Sequence, residues 1–495
     1  MMCRVARFGI LISTAALLSA GGSASAFAAL PSAFGPEVKL GEPGKGFVGA
    51  MDVAPYHGKA GDSFTVTGTK LPPNQEFQLV WQTVNGRWKV NGEHYNGREY
   101  VPAIYQMARI KTDAAGKFTA KFVTPEDFGF GHDIVLQQNG HLINQTGYSV
   151  DMTVDVTPKS GPPGTPIKIG VKGIGWRNLY NSWDLMYDNA FTGWMSAVTT
   201  HGSANFTIPA TGFAGEHVLE IIHGDFTFPY RNPEQNPAPG RPRFALMFKV
   251  TPGAPVLPPP PQSQAQKTVR VLPLQGELVS APHFSAVGEP IKIAGQGFEP
   301  GKTYKLNWTH VAGSRVSGKG YEESGQEIAE AKADASGRLE FSFKTPDDLG
   351  GTHDVFVQDG SKKKSGTHLI KSTALPLDVS KGPVGTKFTV HLKGVGWTET
   401  ANILHVVYDN NYTGYACAFN SQGDVTIYMQ ATGAPGWHFI DLYPGIYKGD
   451  EREPNNFRIP QLTYAADHPG EDLQAFHFAF EIVPGGTPSR QASLN

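Results

Sequence analysis

Apolar and polar residues alternate over short runs along most of this chain, and this alternation indicates half-buried β-strands rather than helices. Four of these runs end in glycine, at 64–68, 167–173, 291–295 and 388–394. Each run follows a Pro or Gly turn, and each precedes a later strand that opens with Gly-x-His or Gly-x-x-His. The histidines at this one equivalent position are His132, His217, His353 and His438. The pattern predicts an all-β chain of four similar units.

The chain also repeats itself at fixed spacings. Gly173-Ile174-Gly175-Trp176 returns as Gly394-Val395-Gly396-Trp397, and Tyr187-Asp188-Asn189 returns as Tyr408-Asp409-Asn410, both at an offset of 221 (397 − 176 and 409 − 188). Upstream the offset is 227 (308 − 81 for the two matched tryptophans), so the first copy carries six extra residues. These spacings predict two duplicated halves of two units each.

The run Asp-x-x-Gly-x-Phe … Thr-Pro … Gly-x-His, approximately as in Asp113 to Val135, resembles the Ig-like (IPT/TIG-like, E-set) modules of bacterial exported and surface proteins. The resemblance covers most of the chain, although the Cys…Trp…Cys framework of antibody-type domains is missing. It implies four tandem Ig-like antiparallel β-sandwich domains, arranged as two duplicated two-domain halves. It further implies a binding, spacing or adhesion module, but a fold of this kind does not specify a chemistry.

The boundaries follow from the repeats and from a change in composition between the halves. The predicted segments are a signal peptide at 1–26, Ig-like domains at 47–150, 151–252, 273–377 and 378–486, and a Pro-rich linker at 253–272. Four consecutive prolines, Pro258 to Pro261, favour a stiff extended spacer. We therefore expect two rigid two-domain rods connected by a semi-rigid joint.

The N-terminus predicts export. Arg4 and Arg7 precede an apolar run at 8–18 and the small residues Ala24-Ser25-Ala26, which is the order of a secretory signal peptide. We expect a periplasmic or extracellular protein without membrane insertion, because no other apolar run approaches the length of a transmembrane helix. Cleavage would leave Cys417 as the single cysteine, so no internal disulfide would form.

Charge gives little information about partners. The chain has 42 basic and 44 acidic residues, for a formal net charge of −2, which gives no reason to expect nucleic acid or an anionic membrane surface. The expected partner is a polysaccharide or another exported or surface protein.

The strongest candidate binding region spans residues 181–194, with its counterpart at 404–415. It combines bulky aromatic residues with Asp, Asn and Thr, a composition that stacks on sugar rings while bonding hydroxyl groups. The candidate binding residues are Trp183, Tyr187, Asp188, Asn189, Trp194, Tyr408, Asp409, Asn410, Tyr412 and Tyr415. The alternative is that Tyr-Asp-Asn-x-x-Thr-Gly is simply a hairpin turn.

Three longer connections add to this picture. The loops 224–242 and 445–474 interrupt what should be simple hairpins in units two and four, and the six extra residues of unit one fall within 85–107. Loops of this length in a compact domain are usually functional or disordered. Since units two and four are equivalent, we expect their loops to project on equivalent faces.

The repeated histidines invite a metal or catalytic interpretation, but a ring that bonds the backbone at a strand corner explains them better. A metal site needs converging ligands, and adjacent strand residues point to opposite faces. Trp81 and Trp308 are expected in the sandwich cores. Hydrolase, zinc-protease, phosphate-loop and dinucleotide motifs are missing, so we predict no catalytic residue, metal ligand or cofactor.

The favoured hypothesis is an exported, non-catalytic binding or adhesion protein that presents loops of units two and four. One alternative is a purely structural cell-envelope spacer whose aromatic loops pack between domains. A polysaccharide-active enzyme is a second alternative.

Overall fold

A computed structural model describes residues 34–44, 46–91, 94–225, 228–235, 240–264, 277–313, 321–447, 459–470 and 472–485. The predicted signal peptide and part of the predicted linker lie outside these ranges. The described residues form 33 β-strands and three short 3₁₀ helices, Pro233–Gln235, Pro261–Gln264 and Phe419–Ser421. None of these helices is long and apolar enough to cross a membrane. The all-β prediction is confirmed.

Sandwich 1 packs a three-stranded sheet of order β1-β3-β6 on a five-stranded sheet of order β2-β8-β7-β4-β5. Its strands are β1 (Ala50–Ala54), β2 (His57–Gly58), β3 (Ser63–Thr69), β4 (Glu76–Asn91), β5 (His94–Lys111), β6 (Phe118–Val123), β7 (Phe130–Gln138) and β8 (His141–Val150). Both sheets contribute to one core, which includes Val66 and Trp81. Trp81 is fully buried, as the sequence predicts.

Sandwich 2 repeats this plan with sheets β14-β11-β9 and β10-β17-β15-β12-β13, and β16 pairs with β15. Its strands are β9 (Thr153–Thr157), β10 (Ser160–Gly161), β11 (Pro166–Lys172), β12 (Trp183–Tyr187), β13 (Ala190–Met195), β14 (Ala204–Pro209), β15 (Gly215–Asp225), β16 (Phe228–Pro229) and β17 (Phe244–Val250).

Sandwich 3 has sheets β18-β20-β23 and β19-β25-β24-β21-β22. Its strands are β18 (Leu278–Ala281), β19 (Phe284–Ser285), β20 (Pro290–Gly295), β21 (Thr303–Gly313), β22 (Tyr321–Lys332), β23 (Leu339–Lys344), β24 (Gly351–Asp359) and β25 (Lys362–Ile370). Trp308 lies in its core with 1% of its surface exposed.

Sandwich 4 has sheets β26-β28-β31 and β27-β33-β32-β29-β30. Its strands are β26 (Thr373–Ala374), β27 (Lys381–Gly382), β28 (Lys387–Lys393), β29 (Ile403–Tyr408), β30 (Asn411–Cys417), β31 (Val425–Gln430), β32 (Gly436–Pro444) and β33 (Phe476–Ile482). In all four sandwiches one two-residue strand is parallel to its neighbour, as β2 is to β8, while the other paired strands are antiparallel.

A buried aspartate joins sandwich 1 to sandwich 2, and the equivalent aspartate joins sandwich 3 to sandwich 4. Asp127 is buried and accepts a hydrogen bond from Trp81 Nε1 at 2.9 Å, while His201 Nδ1 of sandwich 2 lies 3.5 Å from its carboxylate. In the second half, Asp348 accepts hydrogen bonds from Trp308 Nε1 at 3.1 Å and from Gln422 Nε2 of sandwich 4 at 2.8 Å. A buried carboxylate without such donors would be costly, so these contacts hold each pair together.

The two halves also contact each other directly, so the expectation of a jointed rod is wrong. Gln264, at the end of the described part of the linker, exchanges hydrogen bonds with the backbone of His477 in β33 at 2.7 Å each. Sandwich 4 further packs on sandwich 2, with Val407, Tyr443 and Leu462 joining the core cluster of sandwich 2. The end of the described linker therefore lies against sandwich 4.

Candidate functional site: two equivalent hairpins in sandwiches 2 and 4

The two Tyr-Asp-Asn segments form tight hairpin turns, between β12 and β13 and between β29 and β30. Asp188 and Asn189 have φ values of 48° and 69°, and Asp409 and Asn410 have values of 49° and 62°. Two consecutive positive φ values define a type I′ turn, which Asn and Asp tolerate better than other non-glycine residues.

Each turn is tied to the repeated histidine of its sandwich. The Asp188 carboxylate lies 2.5 Å from His217 Nδ1 and accepts a hydrogen bond from the Val218 backbone N–H at 2.9 Å. Asp409 makes the matching contacts with His438 and Phe439 at 2.5 and 2.9 Å. Burial lowers the pKa of His438, but the Asp409 carboxylate outweighs burial and leaves that pKa raised.

In all four sandwiches the repeated histidine also bonds the backbone four residues earlier. The Nε2 atoms of His132, His217, His353 and His438 lie 2.7 or 2.8 Å from the carbonyl oxygens of Phe128, Phe213, Leu349 and Ala434. These contacts match the corner interpretation of the histidines. In the described ranges, no three His, Cys, Asp or Glu side chains converge in a group that could hold a metal ion.

Four of the predicted aromatic site residues lie inside the protein. Trp183 and Trp194 are fully buried, and Tyr187 and Tyr408 are 4% and 9% exposed. The two tyrosine hydroxyls donate to the carbonyl oxygens of Thr211 and Thr432 at 2.8 and 2.9 Å. Burial raises the pKa of both phenols to about 12. These four rings present no open face on which a sugar could stack.

Trp194 is covered by sandwich 4. Its backbone N–H donates to Pro460 O at 2.9 Å, and its carbonyl oxygen accepts from the Leu462 N–H at 2.9 Å. The segment Pro460–Leu462 thereby runs parallel to β13 and forms an isolated β-bridge with it, between Gln461 and Trp194. Such pairing uses backbone groups that an edge strand otherwise leaves free.

The hairpin of sandwich 4 is inserted against sandwich 2. Asn410 Nδ2 donates to Pro209 O at 2.8 Å and to Thr211 Oγ1 at 2.9 Å, while Thr192 Oγ1 donates to Asn410 O at 2.7 Å. Asn410 has 0% exposure. Beside it, the rings of Phe191 and Tyr412 meet edge to face, with centroids 6.1 Å apart. We call this set of contacts the internal hairpin contact.

The hairpin of sandwich 2 has the opposite environment, because Asp188 and Asn189 are exposed to solvent. The structure therefore brings Asn410 and Tyr412 into an interface with sandwich 2, whereas Asp188 and Asn189 lie outside one. Tyr415, equivalent to the buried Trp194, is 42% exposed. The two hairpins therefore differ in environment although their sequences match, because sandwich 4 covers sandwich 2 and sandwich 2 does not cover sandwich 4 in the same way.

Sequence reasoning missed the residues that join three sandwiches. Asp467, 1% exposed, accepts hydrogen bonds from Trp88 Nε1 of sandwich 1 at 3.0 Å and from the N–H groups of Val198 and Thr199 of sandwich 2 at 2.8 and 2.9 Å. Glu399 accepts from the Tyr95 N–H at 2.7 Å. Loop length was the only signal in the sequence, since 85–107 and 445–474 are the segments that meet here.

Comparisons with known proteins assign no family to the chain. No protein-family model and no curated protein matches it. Among solved structures, it is similar to Salmonella alpha-2-macroglobulin reacted with methylamine, with 9% identity, a TM-score of 0.18 and coverage of 88% of this chain and 31% of that one. The chain thus spans about a third of the length of that protein.

Two further similarities are to proteins of comparable or smaller length. The ICAM-5 D1–D4 ectodomain fragment shows 9% identity, a TM-score of 0.18 and coverage of 88% of this chain and 99% of that one. A putative membrane anchored protein from Corynebacterium diphtheriae shows 12% identity, a TM-score of 0.17 and coverage of 65% and 89%.

Proposed function

We propose that the chain is an exported, non-catalytic binding protein that uses the exposed hairpin of sandwich 2 to bind a protein partner. The observation that carries this proposal is the unequal use of two equivalent hairpins. The hairpin of sandwich 4 already makes a specific contact with an Ig-like sandwich, while its counterpart presents the same groups to solvent. The binding surface consists of Asp188, Asn189 and Phe213, and we call it the exposed hairpin patch.

The patch is rigid and partly apolar. Phe213 is 74% exposed, and its ring centroid lies 5.0 Å from that of His217. His217 bonds both Asp188 and the Phe213 carbonyl oxygen, so the turn and the aromatic ring are held by one buried imidazole. A pre-organised aromatic anchor beside polar groups is typical of binding hot spots, because little conformational entropy is lost on binding.

A protein partner is favoured over a polysaccharide by the chemistry of the internal hairpin contact. There the asparagine amide recognises a backbone carbonyl oxygen and a threonine hydroxyl, which are groups of a polypeptide surface. Trp183 and Trp194, the tryptophans predicted to stack on a sugar ring, are buried. The same burial supports a structural role for Trp194 and Asn410 within the chain, so the alternative of a purely structural spacer applies if the exposed hairpin patch binds nothing.

The test is retention on the immobilised chain, using surface proteins released from the source cells and a panel of purified envelope polysaccharides. We expect saturable retention of protein that Phe213→Ser and Asn189→Gly both weaken. Tyr56→Ser is the matched control, since Tyr56 is 71% exposed on sandwich 1, away from the hairpin. Polysaccharide retention that survives both patch variants would contradict the proposal, and no retention of any probe would favour the structural alternative.

A further inference from the structure

The internal hairpin contact has a complete second set of binding groups in the same chain. The groups in use are Asn410 on the inserted hairpin, and Thr192, Pro209 and Thr211 on the surface that receives it. At the offset of 221, the equivalents are Asn189 on one side and Thr413, Gln430 and Thr432 on the other (410 − 189, 413 − 192, 430 − 209 and 432 − 211). The asparagine and both threonines are retained, and only a backbone oxygen is needed at the third position. The chemistry required for a second contact of the same kind is therefore present.

Both parts of this second set are open to solvent. Asn189, Thr413, Gln430 and Thr432 are all exposed, whereas Asn410, Thr192 and Thr211 have at most 1% exposure. The neighbouring strand differs in the same way. A Cβ at Gly193 of β13 would lie 2.7 Å from Pro460 O, while one at Gly414 of β30 would meet no atom of the described residues within 4 Å. Within the described ranges, Thr413, Gln430 and Thr432 of sandwich 4 thus remain exposed where their counterparts on sandwich 2 contact the inserted hairpin.

The two free surfaces also carry the two most exposed large hydrophobic side chains of the described residues. Tyr428 is 82% exposed on β31, two residues before Gln430, and Phe213 is 74% exposed beside the free hairpin. Their equivalents in the first contact are the smaller residues Thr207 and Ala434. Large aromatic side chains left in water beside polar binding groups are typical of a surface that is covered by a partner.

We propose that the partner is a second copy of this chain: the hairpin at Asn189 of one molecule docks on sandwich 4 of the next, as Asn410 docks on sandwich 2 within each molecule. This inference rests on the proposed function, because it names the partner that binds the exposed hairpin patch. The Asn189 amide donates to Gln430 O and Thr432 Oγ1 of the second copy. The Thr413 hydroxyl, which donates to Val406 O of its own chain at 3.0 Å, turns to donate to the Asn189 carbonyl oxygen. The hairpin and its receiving surface lie on different sandwiches, so the association is head to tail and continues from copy to copy.

The experiment is sedimentation velocity of the purified chain alone, at concentrations up to roughly millimolar, where small specific interfaces still associate. We expect dimers and longer species that grow with concentration. Asn189→Gly removes the amide but keeps the turn, and Thr432→Arg blocks the receiving surface at an exposed position. Each variant should weaken association by about tenfold or more, as expected for losing one or two hydrogen bonds or adding a steric clash.

A mixture of the two variants separates head-to-tail association from other kinds. Asn189→Gly retains its receiving surface and Thr432→Arg retains its hairpin, so the two variants can form one intact contact with each other. No further copy can then be added, because the remaining hairpin and the remaining receiving surface are both altered. The mixture should therefore produce dimers without longer species. A chain that stays monomeric at every concentration overturns the inference, as does association unchanged in both variants. Because this experiment contains no other protein, its failure leaves the retention test of the proposed function independent.

Discussion

Asp184 and His405 occupy equivalent positions on β12 and β29, and both are fully buried. In the described part of the chain, neither the carboxylate nor the imidazole has a hydrogen-bond partner. Burial raises the pKa of Asp184 well above its ordinary value and lowers the pKa of His405 to about 3. A buried group that cannot be solvated avoids its charge, so both side chains favour their neutral forms.

These two groups give stability opposite dependences on pH. The folded pKa of Asp184 is raised, so its contribution is present below the unfolded pKa of about 3.9 and is lost as pH rises. The folded pKa of His405 is lowered, so its contribution is present above about 6.5 and is lost as pH falls.

Asp184→Asn should therefore raise the free energy of unfolding at pH 7 and flatten its decline above pH 4. The difference from the unsubstituted chain should grow by up to about 1.4 kcal/mol per pH unit, because the asparagine cannot ionise. Urea unfolding at several pH values measures this difference, with Asp354→Asn at an exposed position as the control. A constant difference across the range would contradict burial as the cause.

At the scale of elements, the decisive feature is the short bridging segment of sandwich 4 that pairs with the edge of sandwich 2. Pro460–Leu462 satisfies the edge of β13 on either side of Trp194 and covers Gly193. The Leu462 side chain adds apolar contact to the core cluster of sandwich 2. Backbone pairing and apolar burial therefore act together at this edge.

Leu462→Pro should expose Trp194, because proline cannot donate to the Trp194 carbonyl oxygen. We expect increased quenching of tryptophan fluorescence by acrylamide and a loss of stability of about 2 kcal/mol. Leu462→Val keeps the N–H and most of the apolar surface, and should differ little from the unsubstituted chain. Equal quenching in the two variants would show that this segment does not protect Trp194.

The elements themselves could be predicted from local sequence, but their burial could not. Alternation in runs such as 64–68 marks half-buried strands, and Asp-Asn pairs mark turns with positive φ, because these are properties of adjacent residues. The local sequence predicts Trp194 to be a binding residue, because polar residues lie near it in the chain. Its cover comes from a segment more than 260 residues later (460 − 194 = 266), and no local pattern specifies that contact.

At the scale of the whole molecule, the halves are held by contacts far from the linker that connects them. Asp467 joins sandwich 4 to sandwiches 1 and 2, and the internal hairpin contact joins it to sandwich 2 again. The Pro-rich composition of the linker predicts an extended segment, but composition does not show which surfaces lie beside it.

A protease site introduced at the exposed Leu257, which is 48% exposed, should cut the linker without separating the halves. The two fragments should co-elute in size-exclusion chromatography, since the contacts of Asp467, Asn410 and Pro460–Leu462 do not depend on the cut. Elution of two separate fragments under native conditions would favour the jointed rod. The uncut chain bearing the same site is the reference.

Asn410 makes its contacts within the molecule, whereas the equivalent Asn189 is exposed to solvent and, in the proposed function, binds a partner. The most direct measurement makes the same substitution at both positions, since glycine fits the positive φ of each turn. Asn410→Gly should lower the free energy of unfolding by about 2 kcal/mol, because two hydrogen bonds to buried acceptors are lost. Asn189→Gly should leave unfolding unchanged within about 0.5 kcal/mol and weaken binding instead. Equal effects of the two substitutions on unfolding, with no effect of Asn189→Gly on binding, would contradict the account.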